Sequence, residues 1–187
     1  KKLELGTLSD NKIKKFYMGR NVSSQLDWMP ELENLTIGKY VKYIGSDFSS
    51  SEKLTNLELE DADDVLDFGN NPMVGRVTSL YMGRNVKVGT YEGQDELYGW
   101  EKIVTKGNGF SSVEDLTIGD KVTEICDYFC YGNLKLVSLY FPKNLKRIGN
   151  YAFYRNAKIS RVVFNDGLKN IGDFAFGFVD DGFKLSD

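Results

Sequence analysis

Four segments of this 187-residue chain can be laid under one another: ENLTIGKYVKYIGSDF (33–48), EDLTIGDKVTEICDYF (114–129), VSLYFPKNLKRIGNYAF (137–153) and SRVVFNDGLKNIGDFAF (160–176). In each, one hydrophobic residue is followed two positions later by another, then usually a Gly or Pro. A third hydrophobic comes next, then Ile, and then Phe. KKFYMGRNV (14–22), TNLELEDADDVLDFG (55–69) and TSLYMGRNVKV (78–88) fit the frame in part. The first slot falls at Phe16, Leu35, Leu57, Leu80, Leu116, Leu139 and Val162, in steps of 19, 22, 23, 36, 23 and 23. A period near 23 residues therefore governs the chain, with a 13-residue insertion in the fourth unit, at about 87–110. Leu3 and Leu5 read as a partial unit before the first, and Phe183 and Leu185 as one after the last.

Repetition at this period predicts a solenoid, because one such unit cannot bury its own apolar edge and a stack of them can. Alternation in Leu35-Thr36-Ile37 or Leu139-Tyr140-Phe141 is that of a half-buried strand. Gly19, Gly38, Gly83, Gly119 and Pro142 follow where the chain must turn. Val22, Val41, Val65, Val86, Val122, Leu145 and Leu168 are expected in the core. Four or five residues separate Ile44, Ile125, Ile148 and Ile171 from Phe48, Phe129, Phe153 and Phe176, a spacing that predicts one helical or 3₁₀ turn per unit and an internal aromatic ladder. The expectation is one domain over 1–187 of about seven units plus partial end units, taken from a longer chain. The chain opens on KKLEL, which reads as a strand rather than a signal segment.

Composition narrows the chemistry. With no histidine, Ser-His-Asp and Cys-His catalysis and histidine-bound metals are excluded. Two cysteines, Cys126 and Cys130, cannot build a four-thiolate site, and their i, i+4 spacing suits buried thiols better than a bridge, without settling which. The acidic run ELEDADDVLD (58–67) fails the EF-hand pattern, having Leu66 and Pro72 where a loop opening at Asp61 needs Gly and Glu. A net charge of −3 gives no basic field for nucleic acid or an anionic membrane, and no apolar run is long enough to span a bilayer. The chain is therefore expected to be non-enzymatic, without cofactor or metal.

The stretch LKRIGNYAFYRNAKISRVVFNDGLKNIGDFAF (145–176) resembles the BspA-type leucine-rich repeat family, whose unit reads roughly L-x-x-V-x-I-P-x-x-V-x-x-I-G-x-x-A-F. The likeness extends over nearly the whole chain, though the family's proline slot is mostly glycine here, with Pro142 the match. It implies a right-handed leucine-rich-repeat superhelix with one strand per unit on one face. It also implies a bacterial or protist protein at the cell surface or secreted, working in adhesion, with protein partners that include host extracellular-matrix or cell-surface proteins.

Candidate contact residues follow from the frame. The residue between the two strand slots points outward: Tyr17, Thr36, Glu58, Tyr81, Thr117, Tyr140 and Val163. Tyrosine is enriched at binding hot spots, although Tyr and Thr are also simply good strand formers. The hexapeptide YMGRNV occurs at 17–22 and 81–86 and adds Arg20 and Arg84, read as projecting outward. The insertion offers Tyr91, Tyr98, Trp100 and Phe110, either as an exposed recognition loop or, through Leu97, Trp100 and Ile103, as a plug for the core; Trp28 has the same two readings. Two functions compete: a protein-binding module using the strand face, and a structural spacer presenting other domains at the cell surface.

Overall fold

A computed structural model describes residues 12–21, 26, 29–44, 47–69, 71–89 and 109–177. Leu3, Leu5, Val22, Phe183, Leu185 and most of the insertion lie outside them. The β-strands are short and all pairings are parallel. Those on the first face are β1 (Lys15–Arg20), β2 (Asn34–Tyr40), β3 (Asn56–Leu59), β5 (Ser79–Met82), β7 (Asp115–Ile118), β9 (Ser138–Tyr140) and β11 (Arg161–Val163). Between them, on a second face, run β4 (Leu66–Asp67), β6 (Val86–Lys87), β8 (Glu124–Ile125), β10 (Arg147–Ile148) and β12 (Asn170–Ile171). The first five strands of the first face form one sheet in the order β1-β2-β3-β5-β7, while β9 pairs with β11. On the second face β8, β10 and β12 make one ribbon and β4 and β6 another. This is a β-solenoid.

Registration across the first face follows the sequence frame. Phe16, Leu35, Leu57, Leu80 and Leu116 are paired in succession, as are Met18, Ile37, Leu59, Met82 and Ile118. Most of these are buried, so a slip of one residue would put the outward row into the core. The aromatic slot is filled by Phe68, Phe110, Phe129, Phe153 and Phe176, with successive ring centroids 5.7, 5.2, 6.1 and 5.4 Å apart. Phe110 is fully buried in this ladder and not part of an exposed loop.

Two expectations about the unit are corrected. No helical turn recurs: among the described residues the helical element is the single 3₁₀ turn Pro72–Arg76. The segment after each Ile passes instead through left-handed backbone, at Phe48 (φ 61°), Tyr128 (58°), Tyr151 (53°) and Phe174 (52°). A left-handed residue interrupts any right-handed turn, and its N–H turns to a neighbouring rung, back to the Leu26 carbonyl at 3.0 Å for Phe48. Tyr128 donates to the Asn150 carbonyl at 3.0 Å and Tyr151 to that of Asp173 at 2.9 Å. Val65 is the second correction. It is half exposed, and Leu66 takes the core position, in register with Val86.

Asparagines bracket adjacent rungs. Buried Asn133 donates to the carbonyls of Phe110 (3.0 Å) and Val113 (2.8 Å) and accepts from the N–H groups of Lys135 and Leu136. Asn71 bridges Asp47 and Met73 in the same way, and Asn165 donates to Pro142 and Leu145. Such bonds satisfy the turn carbonyls that a strand ladder leaves unpaired.

Candidate functional site

Strand pairing sets Tyr17 beside Thr36, Thr36 beside Glu58, Glu58 beside Tyr81, and Tyr81 beside Thr117. Tyr140 and Val163 are paired with each other on the next two strands. Tyr17, Glu58, Thr117, Tyr140 and Val163 are exposed, whereas Thr36 and Tyr81 are half-buried. The residues picked from alternation thus share one face, as the parity of a strand requires.

The first two tyrosines are more constrained than an outward row requires. The Tyr81 hydroxyl donates to Asp61 Oδ1 at 2.9 Å and lies 2.9 Å from where a Cβ on Gly119 would stand. Tyr17 packs on Gly19 and Gly38, whose added Cβ atoms would meet its ring at 3.0 Å and its hydroxyl at 2.8 Å. Its hydroxyl is desolvated and hydrogen-bonds Glu60, and both effects raise its pKa. For Tyr81 the bond to Asp61 is the larger cause of the same shift. Glycine at these turns therefore has a second use: Gly38 and Gly119 leave backbone bare for a tyrosine of the previous unit, and Gly19 for the tyrosine of its own. Tyr140 is held differently, with the Arg161 guanidinium 5.5 Å from its ring centre.

Arg20 and Arg84 part company. Arg20 is exposed, but Arg84 is fully buried. Its guanidinium donates to the carbonyls of Gly38 (3.0 Å), Lys39 (3.2 Å) and Val41 (2.8 Å), reaching past the 60–65 turn to the one before it. Burial lowers its pKa, with Asp64 and Glu60 opposing. Arg84 is therefore not part of the solvent-facing set. Val65 turns outward and Leu66 fills the core position of that unit, so the arginine reaches across this unit to the turn before it. Asn21 and Asn85, by contrast, act alike. Each accepts from the next turn's backbone, Asn21 from Lys42 (2.9 Å) and Asn85 from Thr123 (2.9 Å) and Glu124 (3.0 Å).

A cleft of about 190 Å³ opens over β2, β3 and β5, lined by Asn34, Leu35, Thr36, Asn56, Leu57, Glu58, Ser79 and Tyr81. Thr36 donates to Glu58 at 3.3 Å. The acidic run is tied to other turns, through Asp61 to Tyr81, Asp63 to Lys121 (2.8 Å) and Asp64 to Lys42 (3.3 Å). No cluster of three or more potential metal ligands occurs among the described residues. Cys126 and Cys130 are free thiols; desolvation pushes Cys126 up to about 12 and Cys130 well above its ordinary value. Tyr91, Tyr98, Trp100, Leu97, Ile103 and Trp28 lie outside the described residues. Within the described part, no helix is long and apolar enough to cross a membrane.

Sequence reading missed a second aromatic column. Tyr128, Tyr151 and Phe174 stack at 5.2 and 5.3 Å, nearly parallel at 4° and 16°. Tyr131 and Tyr154 stack beside them at 5.4 Å. The signal was present as an aromatic three residues after each of Ile125, Ile148 and Ile171.

A family model described as a BspA type leucine rich repeat region (6 copies) matches residues 108–181. This stretch is similar to the BspA-type leucine-rich repeats. Strands β7 to β12 lie within the residues so matched, and β1, β2, β3 and β5 continue the sheet of β7 toward the N-terminus. No curated protein and no solved structure matches the chain.

Proposed function

We propose that this chain is a non-enzymatic leucine-rich-repeat module that binds a protein partner through the exposed strand face. The observation that carries this is the register-matched row from Tyr17 to Thr117, continued by Tyr140, in which aromatic side chains are held in place before any partner arrives. Pre-organised tyrosines lose little entropy on binding, which favours affinity. Leucine-rich repeats commonly serve as protein-interaction surfaces or scaffolds. On the resemblance to BspA-type proteins, the partner is an extracellular-matrix or cell-surface protein of a host, and the module acts in adhesion outside the cell.

The test is capture of immobilised extracellular-matrix proteins by the chain and by a variant with Tyr17, Tyr81 and Tyr140 changed to Ala. Loss of about tenfold or more in affinity with an unchanged far-UV spectrum supports the assignment. Equal capture by both refutes it. A spacer role has one observation in its favour: among the described residues, several turns are bracketed to a neighbour by side-chain hydrogen bonds, as through Asn21, Asn85, Asn133 and Asn165, which stiffens the stack.

A further inference from the structure

Two outward rows run across β2, β3 and β5. Asn34, Asn56 and Ser79 are in register on one side, and Thr36, Glu58 and Tyr81 on the other. The cleft of about 190 Å³ lies between these rows, over Leu35 and Leu57. We propose that it receives a lysine or arginine side chain of the protein partner, with the apolar stem along its floor and the cation on Glu58. The proposal rests on the strand face being the contact surface and names what that face recognises.

Three observations carry it. First, the floor is bare and largely apolar. Leu35 and Leu57 turn their side chains into the core, so at their positions no side chain stands between the rows. The N–H and C=O groups of these strands are taken up by the parallel ladder. Residues two apart on a strand are separated by about 7 Å. The slot is therefore narrow, and it suits an unbranched chain of methylenes better than a ring. Lysine and arginine lay such stems along apolar surface while their charged ends stay at the rim.

Second, the walls carry a single ionised group, and it is acidic. Glu58 is the one charged residue that lines the cleft. It is exposed, and among the described residues its carboxylate accepts only from Thr36, at 3.3 Å. A carboxylate has about four lone-pair sites, so most of its capacity is open to a cation. Tyr81 stands on the same wall with its hydroxyl fixed to Asp61, and an aromatic ring is a favourable neighbour for an ammonium or guanidinium.

Third, the charge around the cleft has one sign in excess. Asp115 lies on β7, and Glu60, Asp61 and Asp120 follow β3 and β7. Unlike Asp63 and Asp64, none of these four is in an ion pair among the described residues. The nearby cations, Lys15, Arg20 and Lys39, lie toward the β1 end, and the Lys39 ammonium is turned over the Tyr40 ring at 5.2 Å. A cationic segment is thus attracted before contact, and an acidic one is rejected.

The experiment is fluorescence anisotropy with three labelled nonapeptides: Gly-Ser-Lys repeated three times, and its arginine and norleucine counterparts. Saturable binding of the lysine and arginine peptides is expected, with norleucine about tenfold weaker or more. Glu58→Gln, which keeps an acceptor for Thr36, should weaken the cationic peptides about tenfold. Asp173→Asn removes the same charge from an exposed site on the second face, after β12, and should leave affinity within about twofold. No binding of either cationic peptide, equal binding of the norleucine peptide, or equal weakening by the two substitutions overturns the proposal. A matrix protein captured equally by the parent and by Glu58→Gln, yet lost by the triple-tyrosine variant, also overturns it and leaves the protein-binding face standing. Peptide binding that requires Glu58, with no matrix protein captured, supports the cleft and counts against the matrix partner alone.

Discussion

Replacing Arg84 and Arg20 by alanine in turn compares two copies of one hexapeptide in which the same side chain has opposite surroundings. Arg84→Ala removes three N–H···O bonds of 2.8–3.2 Å to the carbonyls of Gly38, Lys39 and Val41. Hydrogen bonds to a charged group contribute roughly 1.5–3 kcal/mol each, about 4.5–9 kcal/mol gross. Against this stands the desolvation of the guanidinium, several kcal/mol for a buried ion, and its Nε has no hydrogen-bond partner. The emptied slot adds a cavity term in the other direction. The balance is a loss of about 2–4 kcal/mol. Arg20 is exposed, so Arg20→Ala should stay within about 0.5 kcal/mol of the parent. Urea unfolding followed by far-UV circular dichroism measures both. Arg84→Lys, which keeps the charge but not the fork that spans three carbonyls, should fall between them. If Arg84→Ala unfolds at the same urea concentration as Arg20→Ala, the three-carbonyl anchor contributes nothing and the reasoning fails.

The thiols give a second test. Cys126 is half-buried and Cys130 fully buried, and desolvation disfavours both thiolates, so iodoacetamide at pH 8 should label both slowly in the native chain, Cys130 least, and both readily in urea, as read by mass spectrometry; native labelling of Cys130 as fast as in urea would contradict its burial. Alkaline stability follows from the same shifts with those of Tyr17 and Tyr81. The folded state holds these protons more tightly than the unfolded chain, so the contribution is complete below about pH 9 and is lost as pH rises toward 12. Tyr81→Phe should flatten that decline, and thermal melts at successive pH values would show a parallel curve if the reading is wrong. Asn133→Ala leaves the carbonyls of Phe110 and Val113 and the N–H groups of Lys135 and Leu136 unpaired; a loss of about 2–4 kcal/mol is expected in urea unfolding, and a neutral result would refute the bracket. Gly83→Ala sets a Cβ 2.3 Å from the Leu59 carbonyl oxygen and should lower the melting temperature by several degrees, where an unchanged melt would show that the turn moves freely.

Repeat period, strand parity and the outward row were legible because each depends on spacing along the chain. Leu35, Leu57 and Leu80 recur at steps of 22 and 23, and that recurrence alone aligns Thr36, Glu58 and Tyr81 on one face. The turn after each Ile was misread because an Ile-to-Phe interval of four or five residues is compatible with a helical turn as well as with a left-handed bend. Which one forms depends on whether the N–H groups find partners within the unit or in the next one, and here Tyr128 and Tyr151 find them in the next.

By itself, then, the sequence determined the solenoid, its register, its aromatic ladder and the exclusion of histidine chemistry. Tertiary structure alone decided which copy of YMGRNV buries its arginine. Those six letters are identical, but two units before the second copy a turn presents three carbonyls to the guanidinium. The same decision anchored Tyr17 and Tyr81, because Gly38 and Glu60 for the first, and Gly119 and Asp61 for the second, come from other turns of the coil. Spacing within a unit fixes what faces inward; contacts between units fix what the outward side chains are free to do.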